Sequence, residues 1–168
     1  MKLQNISADR CLTAAGFLVH KDKILLIKHK MLGIWLAPGG HVEPNELPHH
    51  AAEREFFEET GVRVQAITAF PTLPSLESEN LPLPFAYNLH WINKPGEKKA
   101  RSNGKICGQH YVFAFFVEPV SAIKLSDADD GVDAVRWFTR EEVKKIETRD
   151  GLRQEMIYVL DHYPKRTE

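Results

Sequence analysis

Residues 40–62 read GHVEPNELPHHAAEREFFEETGV, and the reading of this stretch decides the fold. Gly40 opens it, and Glu46, Arg54, Glu55, Glu58, Glu59 and Gly61 follow at fixed intervals. The pattern predicts a helix over Pro48–Thr60, with proline in the first turn, where its missing N–H is harmless. Glu55, Glu58 and Glu59 then stand at i, i+3 and i+4 and share one face. Glu58 and Glu59 fall in the last turn before Gly61, the residue expected to end the helix. Carboxylates there oppose the negative end of the helix dipole, at about 0.3–1 kcal/mol each, and their mutual repulsion adds a similar amount. An ordinary solvated face would interleave lysines, but only Arg54 is near. A divalent cation would relieve the repulsion directly.

The rest of the chain sets bounds. Its 168 residues suffice for one domain with a full core and are short for two, so a single domain over 1–168 is expected. Hydrophobic residues at 43% and charged residues at 27% are an ordinary globular balance. A net charge of −1 argues against a protein that coats nucleic acid. Cys11 and Cys107 show neither metal-ligand spacing nor a disulfide framework. They read as small buried hydrophobes in a reducing, cytoplasmic setting. The start, MKLQNISADR, lacks the apolar region of a secretory signal. No apolar run approaches the roughly 18 residues of a membrane span.

Patterning predicts strands over residues 12–19 and 23–28, joined at His20-Lys21-Asp22, and a short extended segment over 33–38. Further strands are expected over 62–68, 85–92, 109–118 and 132–138. Residues 71–84 hold four prolines and read as a loop. The run 112–117, VFAFFV, is too apolar for exposure on either face. Thr139-Arg140-Glu141-Glu142 is a capping-box pattern that opens a helix, and residues 152–163 supply another, amphipathic one.

The spacing from Gly40 through Glu46, Arg54-Glu55, Glu58-Glu59 and Gly61 to Val62 resembles the Nudix box, and Trp137-Phe138-Thr139 before Glu141-Glu142 resembles that family's late strand-to-helix passage. Two departures are visible: Phe56 where an aliphatic residue is usual, and Leu47 where Ser or Thr commonly caps. The resemblance implies an α/β fold, an α/β/α sandwich around a central mixed sheet. It also implies a hydrolase that cleaves a diphosphate bond in a nucleoside triphosphate or related nucleoside diphosphate derivative, by water attack on phosphorus. ADP-ribose or another nucleotide sugar is the alternative substrate, and a non-catalytic nucleotide-sensing module the alternative function.

The same resemblance assigns roles. Glu55, Glu58 and Glu59, with a carbonyl of Gly40, are expected to hold Mg²⁺ or Mn²⁺, hard cations suited to oxygen donors. Glu55, Glu58 and Arg54 count also as catalytic, Arg54 by holding the loop and helix together through Glu46. Asp130, in the acidic cluster Asp127, Asp129, Asp130 and Asp133, is the choice for a general base from outside the box; the alternative is a solvated acidic turn. Gly39, His41, Lys99 and Arg101 are expected to bind substrate, the last two from the basic segment 94–105, whose other reading is a solvated loop tip. His49 and His50 read as solvated residues of the first helical turn. Ala51 and Ala52 read equally as room for phosphate and as good helix formers. Phe85, Tyr87, Trp91 and Tyr111 are either base-stacking or core residues, and His90 and His110 are similarly open. The expected partner is a small-molecule nucleotide substrate, with a homodimer as an option, no stable nucleic-acid complex and no membrane.

Overall fold

The structure is a computed structural model that describes residues 7–70, 74, 77–94, 97, 107–126 and 131–164. In chain order the elements are β1 (Arg10–Phe17), β2 (Val19–His20), β3 (Lys23–His29), β4 (Trp35–Leu36), β5 (Gly39–His41), α1 (Pro48–Thr60), β6 (Val64–Ile67), β7 (Ala86–Trp91), β8 (Gln109–Pro119), β9 (Val132–Thr139), α2 (Arg140–Val143) and α3 (Asp150–His162).

A mixed sheet runs β5-β1-β8-β6, with β7 also on β8. Its parallel pair, β1 with β8, is in register from Arg10↔Gln109 to Phe17↔Phe116. The strands β5, β6 and β7 all join antiparallel. A second sheet, antiparallel, has the order β2-β3-β4 with β9 on β3. The sequence predicted one central sheet, and the chain divides it. The turn between β2 and β3 is made by Lys21 and Asp22, both left-handed at φ 51° and 58°, the geometry that matches hairpin twist. That turn folds β3 back on β2; β3 also pairs with β9, and its Ile24, Leu25, Leu26 and Ile27 are fully buried.

Strand alternation sorts the side chains into two cores. Ala14, Leu18, Leu25, Phe115 and Val117 pack with Ala51, Ala52 and Phe56 of α1. Phe17, Ile24, Leu26, Phe116 and Phe138 pack with Val143 of α2 and with Met156 and Val159 of α3. Helices therefore cover opposite sides, the α/β/α arrangement expected. Tyr163 touches both cores and donates its hydroxyl to the Val117 carbonyl.

The helix α1 has the predicted bounds, and its ends show why. Leu47 at the N-cap contributes no side-chain bond, with Pro48 opening the first turn. Gly61 closes it at φ 74°, its N–H donating to the Phe57 carbonyl. Phe56 is accommodated because β1 offers Gly16 opposite: a Cβ there would lie 2.9 Å from the Phe56 ring. The aromatic departure from the usual pattern is thus compensated on the neighbouring strand. Ala51 and Ala52 are fully buried, which favours packing over space for phosphate. His49 is also buried, at 7% exposure, against the rings of His50 and Phe115; it is not solvated as expected, because the first turn of α1 lies on the sheet. At the other end of the chain, Thr139 and Glu142 form the capping box of α2.

Candidate functional site

The glycine strand β5 and the helix α1 meet through their polar groups. The Gly39 N–H donates to Glu59 Oε2 at 2.9 Å. A Cβ on Gly40 would sit 2.3 Å from Glu55 Oε1, so only glycine lets this strand lie against that carboxylate. Glu55 and Glu59, one turn apart on α1, therefore converge on the Gly39-Gly40 backbone. Glu58, on the same side of the helix, is more exposed, at 45%.

Arg54 ties the loop to the helix. Its Nε and Nη2 donate to the two oxygens of Glu46 at 2.8 and 3.0 Å, a bidentate pair. Nη1 donates to Glu55 at 2.9 Å and Glu58 at 3.1 Å, and Nη2 also donates to the His41 carbonyl at 3.1 Å. Glu46 Oε2 further accepts from the Glu43 N–H. The Arg54 hydrogen bonds hold the Glu46 carboxyl below the usual carboxylate range. Burial pushes the Glu55 carboxyl upward, and the bond and charge of Arg54 only partly oppose that. One guanidinium thus serves three carboxylates and leaves Glu55 short of positive charge.

A hard cation with oxygen ligands answers that shortage. The donor set is all oxygen: Glu55, Glu58, Glu59 and the carbonyls of the glycine strand. Gly40 lacks the side chain that would block the approach. The residues present therefore fit Mg²⁺ or Mn²⁺.

The acid expected from outside the box, Asp130, and its neighbours Asp127 and Asp129 lie outside the described residues, as do Lys99 and Arg101. The flank of the acidic cluster is placed: the Ser126 N–H donates to the Thr60 carbonyl, and its side chain packs against Gly61 at the C-terminus of α1. Asp133 is described and exposed. The aromatic candidates divide. Phe85 stacks on Phe116 within the second core, whereas Tyr87 is 60% exposed and stacks on Tyr111 and Phe113.

The cysteines overturn the expectation set for them. Cys11 and Cys107 are disulfide-bonded across 96 residues, because parallel pairing of β1 with β8 brings the start of one strand to the start of the other. The sequence contained no local signal for this, since the register of a parallel pair is set by tertiary packing. His41 and His110 join them. Their rings meet at 4.8 Å between centroids, with Nε2 atoms 3.2 Å apart, so the His41 ring lies with His110 while its backbone meets Arg54.

A glutamate-bearing helix laid on a glycine strand at the edge of a mixed sheet, with helices on both sides, defines a Nudix-type hydrolase. Residues 10–161 match the NUDIX domain, and the chain belongs to that family. It is 35% identical over 92 residues to an 8-oxo-dGTP diphosphatase of Proteus vulgaris, covering 51% of this chain and 82% of that protein. It is 28% identical over 130 residues to the phosphatase NudJ of Shigella boydii, covering 76% of this chain and 67% of NudJ. Against a probable DHNTP pyrophosphohydrolase of Lactococcus lactis it is 43% identical over 56 residues, spanning 33% of this chain and only 34% of that protein. In structure it is similar to a NUDIX family hydrolase from Clostridium perfringens, with a TM-score of 0.70 at 24% identity, over 91% of this chain and 97% of that one. Among the described residues no helix is long and apolar enough to cross a membrane.

Proposed function

We propose that this chain, as a single domain over residues 1–168, hydrolyses a diphosphate bond in a nucleoside triphosphate or related nucleoside diphosphate derivative, with Mg²⁺ or Mn²⁺ as cofactor. The observation that carries the reading is the convergence of Glu55 and Glu59 on Gly39 and Gly40. Identity to a protein named 8-oxo-dGTP diphosphatase favours a nucleoside triphosphate as substrate.

When bound, the cation supplies charge neutralisation of the diphosphate oxygens and a lowered pKa for a coordinated water. The chain's own groups do the rest. Glu55, Glu58 and Glu59 supply negative oxygen donors, and Gly40 supplies a backbone carbonyl at close approach. Glu55 is the residue proposed to orient the attacking water. Asp130 is the further candidate to accept its proton, from a segment whose flank at Ser126 is anchored to α1. Arg54 fixes the carboxylates through Glu46 and so positions them without touching substrate. Gly39, Lys99 and Arg101 are the groups proposed for the substrate's phosphates; the His41 ring, which the sequence also offered for that role, turns instead to His110 and Cys107.

The test is a screen of nucleoside triphosphates, nucleotide sugars and dinucleoside polyphosphates with Mg²⁺ and Mn²⁺, with product identification. Pyrophosphate release from a triphosphate is expected. Two monophosphates from a nucleotide sugar would move the substrate to that class, and no turnover on any of them would overturn the hydrolase reading.

A further inference from the structure

On the side of the sheet away from α1, four side chains with nitrogen or sulfur donors stand together. Cys11 lies on β1, His41 on β5 and His110 on β8, while Cys107 lies two residues before β8. Register explains the grouping. Cys11 is the direct partner of His110, and His41 is the partner of Thr13, which is two residues from Cys11 and so on the same face. One ligand atom from each of the four lies within 4.8 Å of every other. None is fully exposed, and Cys107 is 1% exposed. The Cys107 segment is held firmly: its carbonyl accepts from buried Asn93 at 2.8 Å, and the Gly108 N–H donates to the Asp9 carbonyl at 2.8 Å.

We propose that, with the cysteines reduced, Cys11, His41, Cys107 and His110 form a tetrahedral two-sulfur, two-nitrogen site for a borderline-soft divalent cation, Zn²⁺. For zinc, bond lengths of about 2.0–2.1 Å to nitrogen and about 2.3 Å to sulfur put tetrahedral ligands roughly 3.3–3.8 Å apart. The His41 and His110 Nε2 atoms are already 3.2 Å apart, and Cys107 Sγ is 3.8 Å from His41 Nε2. The Cα atoms of the cysteines are 6.1 Å apart, so side-chain rotation is enough to separate the sulfurs to the distance two thiolates need on one ion. A cluster of two imidazoles and two thiolates favours zinc over the Mg²⁺ or Mn²⁺ proposed for the all-oxygen site on α1.

A disulfide cannot supply two thiolates, so the two states exclude each other. A dithiol reductant breaks the S–S bond by exchange, giving two Cys thiols while its own pair is oxidised to a disulfide. Binding of Zn²⁺ then displaces one proton from each thiol. The ion would join β1, β5 and β8 at one end of the mixed sheet. It would replace the single covalent link between Cys11 and Cys107 with a four-point link that includes β5.

The experiment uses the full chain, reduced with a phosphine, its two thiols verified by titration, and titrated with Co²⁺ as a spectroscopic probe for Zn²⁺. Sulfur-to-cobalt charge-transfer absorption and strong visible bands of a tetrahedral ion should saturate at one equivalent and disappear on adding Zn²⁺. Cys11→Ser and His110→Ala should each weaken Zn²⁺ binding by more than roughly 100-fold, the upper range for losing even a group that supports a ligand. Glu59→Gln should leave the cobalt bands intact, which separates this site from the carboxylate site whatever becomes of the hydrolase reading. A reduced wild-type protein without thiolate–cobalt absorption would overturn the proposal, leaving the pair as a disulfide only. Bands that persist in His110→Ala would overturn the four-ligand assignment.

Discussion

Gly40 and His41 are consecutive on β5 yet serve opposite sides of the sheet. Gly40 faces α1 and gives way to the Glu55 carboxylate, so that side gathers oxygen donors. The His41 ring faces away from α1, where it meets His110 and Cys107, so that side gathers nitrogen and sulfur. The two groupings share one element and one link, the Arg54 hydrogen bond to the His41 carbonyl. They differ in how the chain assembles them. The first comes from a single run of sequence, a strand, a loop and the helix that follows. The second comes from three strands and a loop, with its cysteines 96 positions apart in sequence. A sheet edge can thus carry hard donors on one side and soft donors on the other, because alternate residues of a strand point in opposite directions.

The largest expected effect would break the comparison on its oxygen side. Glu59→Gln removes a charge from the site while leaving a group that can still accept from the Gly39 N–H. Loss of several kcal/mol of transition-state stabilisation corresponds to a fall in Mg²⁺-dependent turnover of roughly 10³-fold. Circular dichroism should show the fold unchanged, and undiminished product release would remove Glu59 from the metal assignment.

The same contrast explains what the sequence disclosed. The helix α1 was legible to the residue, because Pro48 and Gly61 mark its ends by backbone chemistry that acts locally. The gathering of Glu55 and Glu59 against the glycine strand was legible for the same reason, its members lying within two turns of one helix and the strand before it. The parallel pairing of β1 with β8 was not, since nothing near Cys11 specifies that residue 110 will lie opposite. The disulfide and the His41–His110 contact follow from that packing and were missed with it, as was the burial of His49 where α1 lies on the sheet. The division of the sheet was missed too. Residues 23–28 read correctly as a strand, but its partner, β9, lies more than a hundred residues away. Asp130, Lys99 and Arg101 lie outside the described residues, so their roles are carried by the proposal alone.

Arg54→Ala comes next in size and tests whether one guanidinium holds the oxygen side together. It would leave Glu46, 15% exposed, and Glu55, 19% exposed, without their charged donor. Loss of a hydrogen bond to a buried charged group costs about 1–3 kcal/mol, to be read from urea midpoints. Arg54→Lys should recover only part, because an ammonium cannot make the bidentate contact with Glu46. Full recovery by lysine would reduce Arg54 to a point charge.

A smaller effect should come from the cation itself. Millimolar Mg²⁺ should raise the melting temperature of the wild type by several degrees, at about 2–4 °C per kcal/mol for a chain of this size. The shift should vanish in Glu59→Gln and persist in Cys11→Ser. A shift of equal size in both variants would mean that Mg²⁺ acts at neither set of ligands, and the division of labour between the two sides of β5 would fail.

A separate effect belongs to a carboxylate on neither site, and it shows how much pH dependence the rest of the fold contributes. Burial raises the Glu155 carboxyl on α3 from its ordinary value of 4.5 to about 7. The unfolded chain therefore gives up this proton first, and between those two values the folded state binds more protons than the unfolded one. By linkage, this contribution to stability is fully present below the unfolded value and is lost as pH rises through about 7. Glu155→Gln cannot ionise, so its urea midpoint should fall less than that of the wild type between pH 5 and pH 8. At pH 8 the variant should be the more stable of the two. Parallel decline of both proteins across that range would place the pH dependence elsewhere in the fold, with the carboxylates gathered around Arg54 the next group to examine.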